Sequence, residues 1–241
     1  MRQTSHNTAF GTACFTSKPG GNDRIVKRAL SQISGRSNAR VLDLGCGTGA
    51  LAIAIARARP DISVNALDIS PANAIKVIED AAAAGVGDQV TAICADYLTT
   101  TLSQYDLIVS DSVLQFIEGS NDALAVSLAA DLVPDGTIVA AMPIESTWNR
   151  FRITLRYLWR LMPAVADRFI FALARKVYPD MPPTALADRI SYLRILPVRL
   201  FGPAMKVAFI KAGLMVTDIE PWPNESAAKL QHVLIVWKRW R

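Results

Sequence analysis

The feature that most constrains the fold is a cluster of glycines that follows a short apolar run. Residues 41–44 are rich in strand-forming side chains, and they give way at once to Gly45, Gly47 and Gly49. The alanine-rich residues 50–59 come next and have the composition of a helix. This order predicts a strand, a tight glycine turn and a helix, the opening of a βαβ unit.

The alternation of strand and helix continues along the chain. Further apolar runs predict strands over residues 62–67, 90–94, 105–110 and 136–142. Ser70 and Pro71 are typical of a helix start, Gly85 of a helix end, and residues 121–132 predict another helix. Residues 214–219 and 232–237 predict two closing strands that form an antiparallel hairpin. The pattern predicts an α/β protein whose mostly parallel sheet is covered on both faces.

Acidic residues stand at the ends of four of these strands: Asp43, Asp68, Asp96 and Asp111. In an open parallel sheet, ligands bind where the strands end, and a carboxylate there can accept hydrogen bonds from both hydroxyls of a ribose. Asp68 follows Gly45 by 23 residues, which is the spacing that such a carboxylate needs after a glycine turn. The spacing predicts a nucleotide-type ligand, whereas a packing turn in an unrelated α/β protein is the alternative.

The run from Val41 to Gly49, Val-Leu-Asp-Leu-Gly-Cys-Gly-Thr-Gly, with Asp68 and the pair Ala95 and Asp96, resembles the class I S-adenosylmethionine-dependent methyltransferases. The third glycine comes one residue earlier than the nicotinamide fingerprint requires. The resemblance implies a Rossmann-like sheet of seven strands, mostly parallel, with an antiparallel last strand. It covers about residues 38–143 well and residues 204–241 in outline.

The resemblance also implies roles for matching positions, with S-adenosylmethionine as the cofactor. Gly45, Cys46, Gly47 and Gly49 would form the loop against the methionine moiety and ribose, with Asp43 beneath it. Asp68 would hold the ribose hydroxyls, Ile69 would lie on the adenine, Asp96 would accept from the adenine amino group, Tyr97 would flank the ring and Asp111 would begin the loop between cofactor and acceptor.

The chain divides into four expected segments. After Pro143 the residues predict helices broken by prolines, which indicates a helical cap inserted after the fifth strand. The segments are an N-terminal helical or lid segment, 1–37; the cofactor-binding core, 38–143; the cap, 144–203; and the last helix with the closing hairpin, 204–241.

A sulfonium donor already activates its methyl group, so such an enzyme must mainly hold the acceptor in line and exclude water. Where the acceptor must lose a proton, His232 at the start of the last strand and Asp111 are the candidate catalytic residues. The alternative for His232 is a polar residue that closes the sheet edge, and His6 is a weaker candidate.

The acceptor is expected to be a small molecule or a lipid-like apolar compound. Residues 1–143 carry a net charge of −4 and residues 144–241 a net charge of +9. Arg152, Arg156 and Arg160 form one stripe of a predicted helix. An apolar stripe runs beside it and contains Phe151, Leu155, Leu158 and Met162. Such a helix can lie on an anionic membrane, hold an anionic substrate or be an ordinary cap helix, so residues 150–176 are a possible membrane contact.

RNA methylation is an alternative that the basic C-terminal part keeps open, and a non-catalytic cofactor-binding subunit is another. Enzymes that methylate exocyclic amino groups of bases often carry Asn or Asp, two prolines and an aromatic residue after the fourth strand. Here that position contains Asp111, Ser112, Val113 and Leu114, so nucleic acid is the less favoured acceptor. The oligomeric state stays open.

The cysteines and apolar runs bear on location. Three widely spaced cysteines match neither a disulfide framework nor a metal-binding pair, and we expect no metal. Cys46 and Cys94 are expected to be small buried residues rather than nucleophiles. Without an apolar run long enough to span a membrane or an apolar block near the start, we expect a cytoplasmic protein, with association to a membrane surface as the open alternative.

Overall fold

The computed structural model describes residues 23–163, 165–180, 182–183, 186–187, 190, 193–222 and 230–240. His6 and the expected lid residues before Asp23 lie outside this range. The strands are β1 (Arg40–Leu44), β2 (Ser63–Asp68), β3 (Val90–Cys94), β4 (Tyr105–Asp111), β5 (Leu132–Pro143), β6 (Leu214–Pro221) and β7 (His232–Arg239). The α-helices are α1 (Asp23–Gln32), α2 (Ala50–Ala58), α3 (Pro71–Ala83), α4 (Asn121–Ala130), α5 (Thr147–Leu161), α6 (Ala166–Val177) and α7 (Pro203–Lys211).

The strands form one seven-stranded sheet in the order β3-β2-β1-β4-β5-β7-β6. The pairs from β3 through β5 are parallel, whereas β7 runs antiparallel to both β5 and β6. This confirms the expected sheet with its antiparallel last strand. The chain goes from β1 outward to β2 and β3, then returns to place β4 on the other side of β1. The carboxyl ends of β1 and β4 therefore flank a topological switch point, where ligands bind in such sheets.

Local signals set the helices of the first half. Ser70 caps α3 through a hydrogen bond from the Asn73 backbone N–H to its hydroxyl oxygen, and Pro71 opens the helix. Gly85 follows the C-cap with a φ of 73°, the left-handed conformation that favours glycine. The predicted start and end of this helix are both confirmed.

The boundary between α4 and β5 differs from the prediction of a helix over residues 121–132. The helix ends at Ala130, and Leu132 is already the first residue of β5. The Tyr105 backbone N–H donates to the Asp131 carbonyl at 2.8 Å, so pairing with β4 takes over there. Helix propensity in this segment yields to the sheet because the strand pairing is a tertiary contact.

The hydrophobic core lies on both faces of the sheet. Helices α1, α2 and α3 cover one face, where Ile25, Ile55 and Val77 are fully buried. On the other face, α4 and α7 pack around Trp237, whose ring lies 5.1 Å, centroid to centroid, from that of Phe209. Cys94 is exposed, contrary to expectation, because it ends the edge strand β3.

Helices α5 and α6 occupy the region expected to form the cap, and Asn149 attaches α5 to the sheet. Its side-chain amide nitrogen donates to the carbonyls of Ile144 and Gln231, both at 2.8 Å. Its amide oxygen accepts from the Gln231 backbone N–H, also at 2.8 Å. Because Asn149 is fully buried, it fixes the rotation of α5 about its axis. The boundaries of the cap as a unit stay a prediction.

Candidate functional site

The glycine loop after β1 passes directly over the end of β2. The backbone N–H groups of Gly45 and Cys46 both donate to the carbonyl of Leu67, at 2.8 and 3.0 Å. Gly45 has a φ of 75°, and a Cβ atom there would lie 2.4 Å from the methyl carbons of Val113. Gly49 has a φ of 82° and caps α2. The loop thus brings bare backbone to the amino end of a helix, an arrangement that favours anionic or polar ligand groups.

Asp68 connects this loop to the start of α3. One carboxylate oxygen, Oδ2, accepts a hydrogen bond from the Gly47 backbone N–H at 2.9 Å. The other, Oδ1, accepts from the Ser70 backbone N–H at 2.9 Å and from the Asn73 side-chain amide at 3.1 Å. The carboxylate is therefore held rigidly where β1 and β2 end, the position that the sequence spacing predicted for it.

Asp43 lies beneath the loop, as expected, and is 1% exposed. Its Oδ2 atom accepts from the Ala52 backbone N–H in the first turn of α2 at 3.0 Å. Burial raises the pKa of Asp43 to about 8; the hydrogen bond from Ala52 lowers this pKa, and the negative charges of Asp111 and Asp68 raise it by smaller amounts. The three carboxyl groups therefore interact electrostatically at one edge of the sheet.

Burial also raises the pKa of the Cys46 thiol, which makes this cysteine a poor nucleophile.

Asp96 and Tyr97 lie at the end of β3. The Ala95 backbone N–H donates to the Asp68 carbonyl at 3.0 Å, which brings this turn beside the end of β2. Asp96 caps a short 3₁₀ turn by accepting from the Leu98 backbone N–H. Tyr97 is 6% exposed and belongs to the core, and burial raises the pKa of its hydroxyl. Its ring packs in the core, and its expected place beside the adenine stays a prediction.

Asp111 and His232 lie on the other side of the switch point. Asp111 ends β4 and accepts from the Ser112 hydroxyl at 3.0 Å, and Ser112 has a φ of 60°. His232 starts β7 opposite Pro143, the last residue of β5. Strand β5 lies between β4 and β7, so these two strands are two interstrand spacings of about 4.8 Å apart. Asp111 and His232 therefore bound a strip of the sheet edge that is roughly 10 Å wide.

A hydrogen bond fixes the imidazole of His232. Its Nδ1 atom lies 2.7 Å from the Leu230 carbonyl oxygen, which can only accept. In the neutral ring, Nδ1 therefore carries the proton and Nε2 carries the lone pair. This is the tautomer in which Nε2 acts as a base.

Sequence reasoning missed Asn73 and Asn149. Asn73 is 2% exposed and supports the Asp68 carboxylate, while Asn149 joins α5 to the residue before His232. Asn73 follows Ser70 at the third helical position, where a polar side chain can reach back to the strand end, so the helix start was a usable signal. Two of the three side-chain hydrogen bonds of Asn149 reach Gln231, 82 residues away, and left no local signal.

The described residues contain no group of three or more His, Cys, Asp or Glu side chains that could hold a metal ion. No helix among them is long and apolar enough to cross a membrane. The fold and the loop define a Rossmann-like α/β protein with a nucleoside-type site at the carboxyl ends of β1, β2 and β3.

Comparison with known proteins agrees with this class. Residues 41–136 match the family model described as a methyltransferase domain. The chain is 34% identical over 135 residues to trans-aconitate 2-methyltransferase of Streptomyces avermitilis, a match that covers 55% of the chain and 50% of that protein. It is 26% identical over 155 residues to the malonyl-[acyl-carrier protein] O-methyltransferase of Geobacter sulfurreducens, covering 64% of the chain and 57% of that protein. The chain thus spans about half the length of these relatives.

The fold has solved counterparts as well. The N-methyltransferase NodS from Bradyrhizobium japonicum WM9, solved with S-adenosyl-L-homocysteine, superposes with a TM-score of 0.61 over 99% of this chain and 100% of that chain. At 12% sequence identity, this likeness concerns the fold alone. Together with the fold, these findings show that residues 41–136 form a methyltransferase domain of the class I S-adenosylmethionine-dependent type.

The residues at the switch point suit that cofactor. The loop leaves its backbone bare at Gly45, where the Val113 side chain excludes a Cβ atom, and Asp68 presents a rigid carboxylate that binds the same loop. Asn73 places a buried amide oxygen near the same carboxylate, and no hydrogen-bond donor from the described residues reaches this oxygen. A ribose with two hydroxyl groups supplies donors of the kind that such acceptors need.

Proposed function

We propose that this protein transfers the methyl group of S-adenosylmethionine to a small-molecule or lipid-like acceptor. The observation that carries the proposal is the glycine loop bound to Asp68 at the topological switch point. When bound, the donor supplies an electrophilic methyl group on a sulfonium. The backbone of Gly45, Cys46, Gly47 and Gly49 holds the donor while Asp68 binds its ribose.

The residues that follow β2 and β3 complete the donor site in this proposal. Ile69, half-buried directly after Asp68, provides an apolar surface for the adenine. Asp96 accepts a hydrogen bond from the adenine amino group. Tyr97, the residue after Asp96, belongs to the hydrophobic core beside this turn.

The acceptor side of the site is the strip between Asp111 and His232. Asp111 begins the loop that separates donor from acceptor, and its carboxylate favours positive charge nearby. His232 removes a proton from an acceptor hydroxyl or ammonium through Nε2, because its Nδ1 is already bound to the Leu230 carbonyl. The attachment of α5 by Asn149 places the cap beside this strip and helps to exclude water.

Three features favour a small or lipid-like acceptor over RNA. The Val113 side chain packs against Gly45, so the loop after β4 presents an apolar contact where base-modifying enzymes often carry prolines and an aromatic residue. Arg156 is 9% exposed and Arg152 is half-buried, which removes both from any phosphate-binding surface of α5. Two curated relatives are named for trans-aconitate and for a malonyl group on acyl-carrier protein.

Donor binding is tested by calorimetry with S-adenosylmethionine on the wild type and the Asp68→Ala variant. We expect the variant to lose about 1 to 3 kcal/mol of binding free energy, because a half-buried charged hydrogen-bond acceptor is lost. Asp88→Ala, an exposed carboxylate removed elsewhere, is the matched control and should bind like the wild type. Equal affinity in all three proteins contradicts the proposed donor site.

The acceptor is tested with methyl-labelled donor and cell extract, separated into lipid, small-molecule, protein and RNA fractions. We expect label in the small-molecule or lipid fraction, and a loss of turnover without a change in donor affinity in the His232→Gln variant. Label in the RNA fraction alone refutes the acceptor class. Donor binding without any labelled product indicates a non-catalytic cofactor-binding subunit.

A further inference from the structure

Helix α5 carries its apolar side chains on the outside. Asn149, Arg152 and Arg156 lie at helical spacing on the side that faces the protein, and Arg156 is only 9% exposed. The apolar stripe of the sequence points the other way, with Phe151 at 52% and Leu158 at 54% exposure. A helix that packs on a core normally buries this stripe. The exposed stripe therefore needs an explanation other than packing against the described residues of the chain.

Helix α6 shows the same feature. Phe169, Leu173 and Val177 follow one another at a spacing of four residues and are 75%, 64% and 62% exposed. The segment between the two helices adds Met162 and Val165, both at least half exposed. We call these side chains the α5–α6 apolar surface, and its members are Phe151, Leu155, Leu158, Leu161, Met162, Val165, Phe169, Leu173 and Val177.

Such a row of large exposed apolar residues is uncommon on a soluble surface. Apolar patches of this kind mark contacts with a partner or a membrane. Arg194 holds the segment in place, because it binds the Asp167 carboxylate at 2.9 Å and the carbonyls of Met162 and Pro163. The surface is thus part of an ordered arrangement with its own hydrogen bonds.

Basic residues accompany this surface. Residues 147–178 contain seven Arg or Lys residues and a single acidic residue, Asp167, which is paired with Arg194. The exposed basic side chains are Arg150, Arg160, Arg168, Arg175 and Lys176. Apolar side chains beside Arg and Lys are the composition of helices that lie in the interface of an anionic bilayer. A second copy of the chain is the less suitable occupant, because a twofold contact would bring two strongly positive surfaces together.

We propose that the α5–α6 apolar surface docks on the surface of an anionic lipid bilayer. The apolar side chains enter the boundary between headgroups and acyl chains, while the surrounding Arg and Lys residues contact lipid phosphates. The helices lie along the membrane plane and do not cross it. Docking in this way is independent of methyl transfer and of the identity of the acceptor.

Vesicle flotation tests the proposal with the full chain. We expect the wild type to bind phosphatidylcholine vesicles that contain about 30% phosphatidylglycerol and to bind pure phosphatidylcholine vesicles much more weakly. High salt should reduce the binding, because it screens the headgroup attraction. The Phe169→Glu/Leu173→Glu variant should lower the partition coefficient at least about tenfold, because two inserting side chains become charged.

The matched control moves the same change to another exposed surface. Ile78 on α3 and Val126 on α4 are 60% and 61% exposed, so the Ile78→Glu/Val126→Glu variant adds equal charge away from the α5–α6 apolar surface. This control should bind vesicles like the wild type. A second variant, Arg168→Gln/Lys176→Gln, keeps the apolar side chains and should weaken binding to anionic vesicles about fivefold for each charge removed.

Several results would overturn the proposal. One is a wild type that does not float with anionic vesicles at millimolar lipid, and another is an equal loss of binding in the α6 and control variants. The third result would come from analytical ultracentrifugation: a wild type that dimerises and a Phe169→Glu/Leu173→Glu variant that is monomeric. In that case the surface binds a second copy of the chain and not a membrane. Thermal melting and donor titration show that the variants are folded, so a failure of donor binding is distinguished from a failure of membrane docking.

Discussion

Replacing Asp43 with Asn should remove a loss of stability that the wild type undergoes between pH 6 and pH 9. Asp43 is 1% exposed, and burial raises its pKa from 3.8 to about 8. The folded protein therefore keeps a proton on this carboxyl group that the unfolded chain releases near pH 4. Since the native state binds more protons in this range, its stability falls as the pH rises. The contribution is complete below about pH 4 and is lost once the pH passes 8.

The size of the effect follows from the pKa. At pH 6 the solution is about two units below the pKa of the folded state, and each unit corresponds to about 1.4 kcal/mol. The wild type should therefore lose about 3 kcal/mol of unfolding free energy from this group between pH 6 and pH 9. Asparagine keeps an oxygen that can accept from the Ala52 backbone N–H but carries no titratable group. The variant should lack this part of the pH dependence.

Urea unfolding followed by circular dichroism at pH 6, 7, 8 and 9 measures the difference. The useful quantity is the wild-type free energy minus that of Asp43→Asn, which should decrease by about 3 kcal/mol across the range. Asp88→Asn, which removes an exposed carboxyl group, should follow the wild type at every pH. Parallel curves for wild type and Asp43→Asn would refute the assignment of a raised pKa to this group.

Two further predictions concern backbone geometry and the attachment of α5. Gly45→Ala should cost about 3 kcal/mol or more of unfolding free energy and weaken donor binding, since its Cβ would meet Val113 at 2.4 Å at a positive φ. Gly85→Ala, which has a similar φ of 73° but open space around it, should cost about 1 kcal/mol, and equal losses in urea unfolding would contradict the steric argument. Asn149→Ala should cost about 2 to 4 kcal/mol and speed proteolysis within α5, because the three hydrogen bonds that its fully buried side chain makes to Ile144 and Gln231 are lost. Unchanged stability and cleavage would show that α5 is held by other contacts.

Local chemistry made the glycine loop and the position of Asp68 predictable. A glycine turn, a helix cap at Ser70 and an acidic residue at the end of a strand are each written in a few consecutive residues. The order of strand and helix then implies that the strand ends share one edge of the sheet. The loop, Asp43 and Asp68 therefore lie where the sequence placed them.

The sequence by itself determined the alternation of strands and helices, their caps and the glycine loop, because these depend on neighbouring residues. Only the tertiary structure decided which way Tyr97 turns, which strand lies beside His232 and which face of α5 is exposed. Amphipathic spacing defines two stripes on a helix but not the direction that either one faces. On α5 that direction is set by Asn149, whose hydrogen bonds reach residues 82 positions away and turn the arginines inward and the apolar side chains outward.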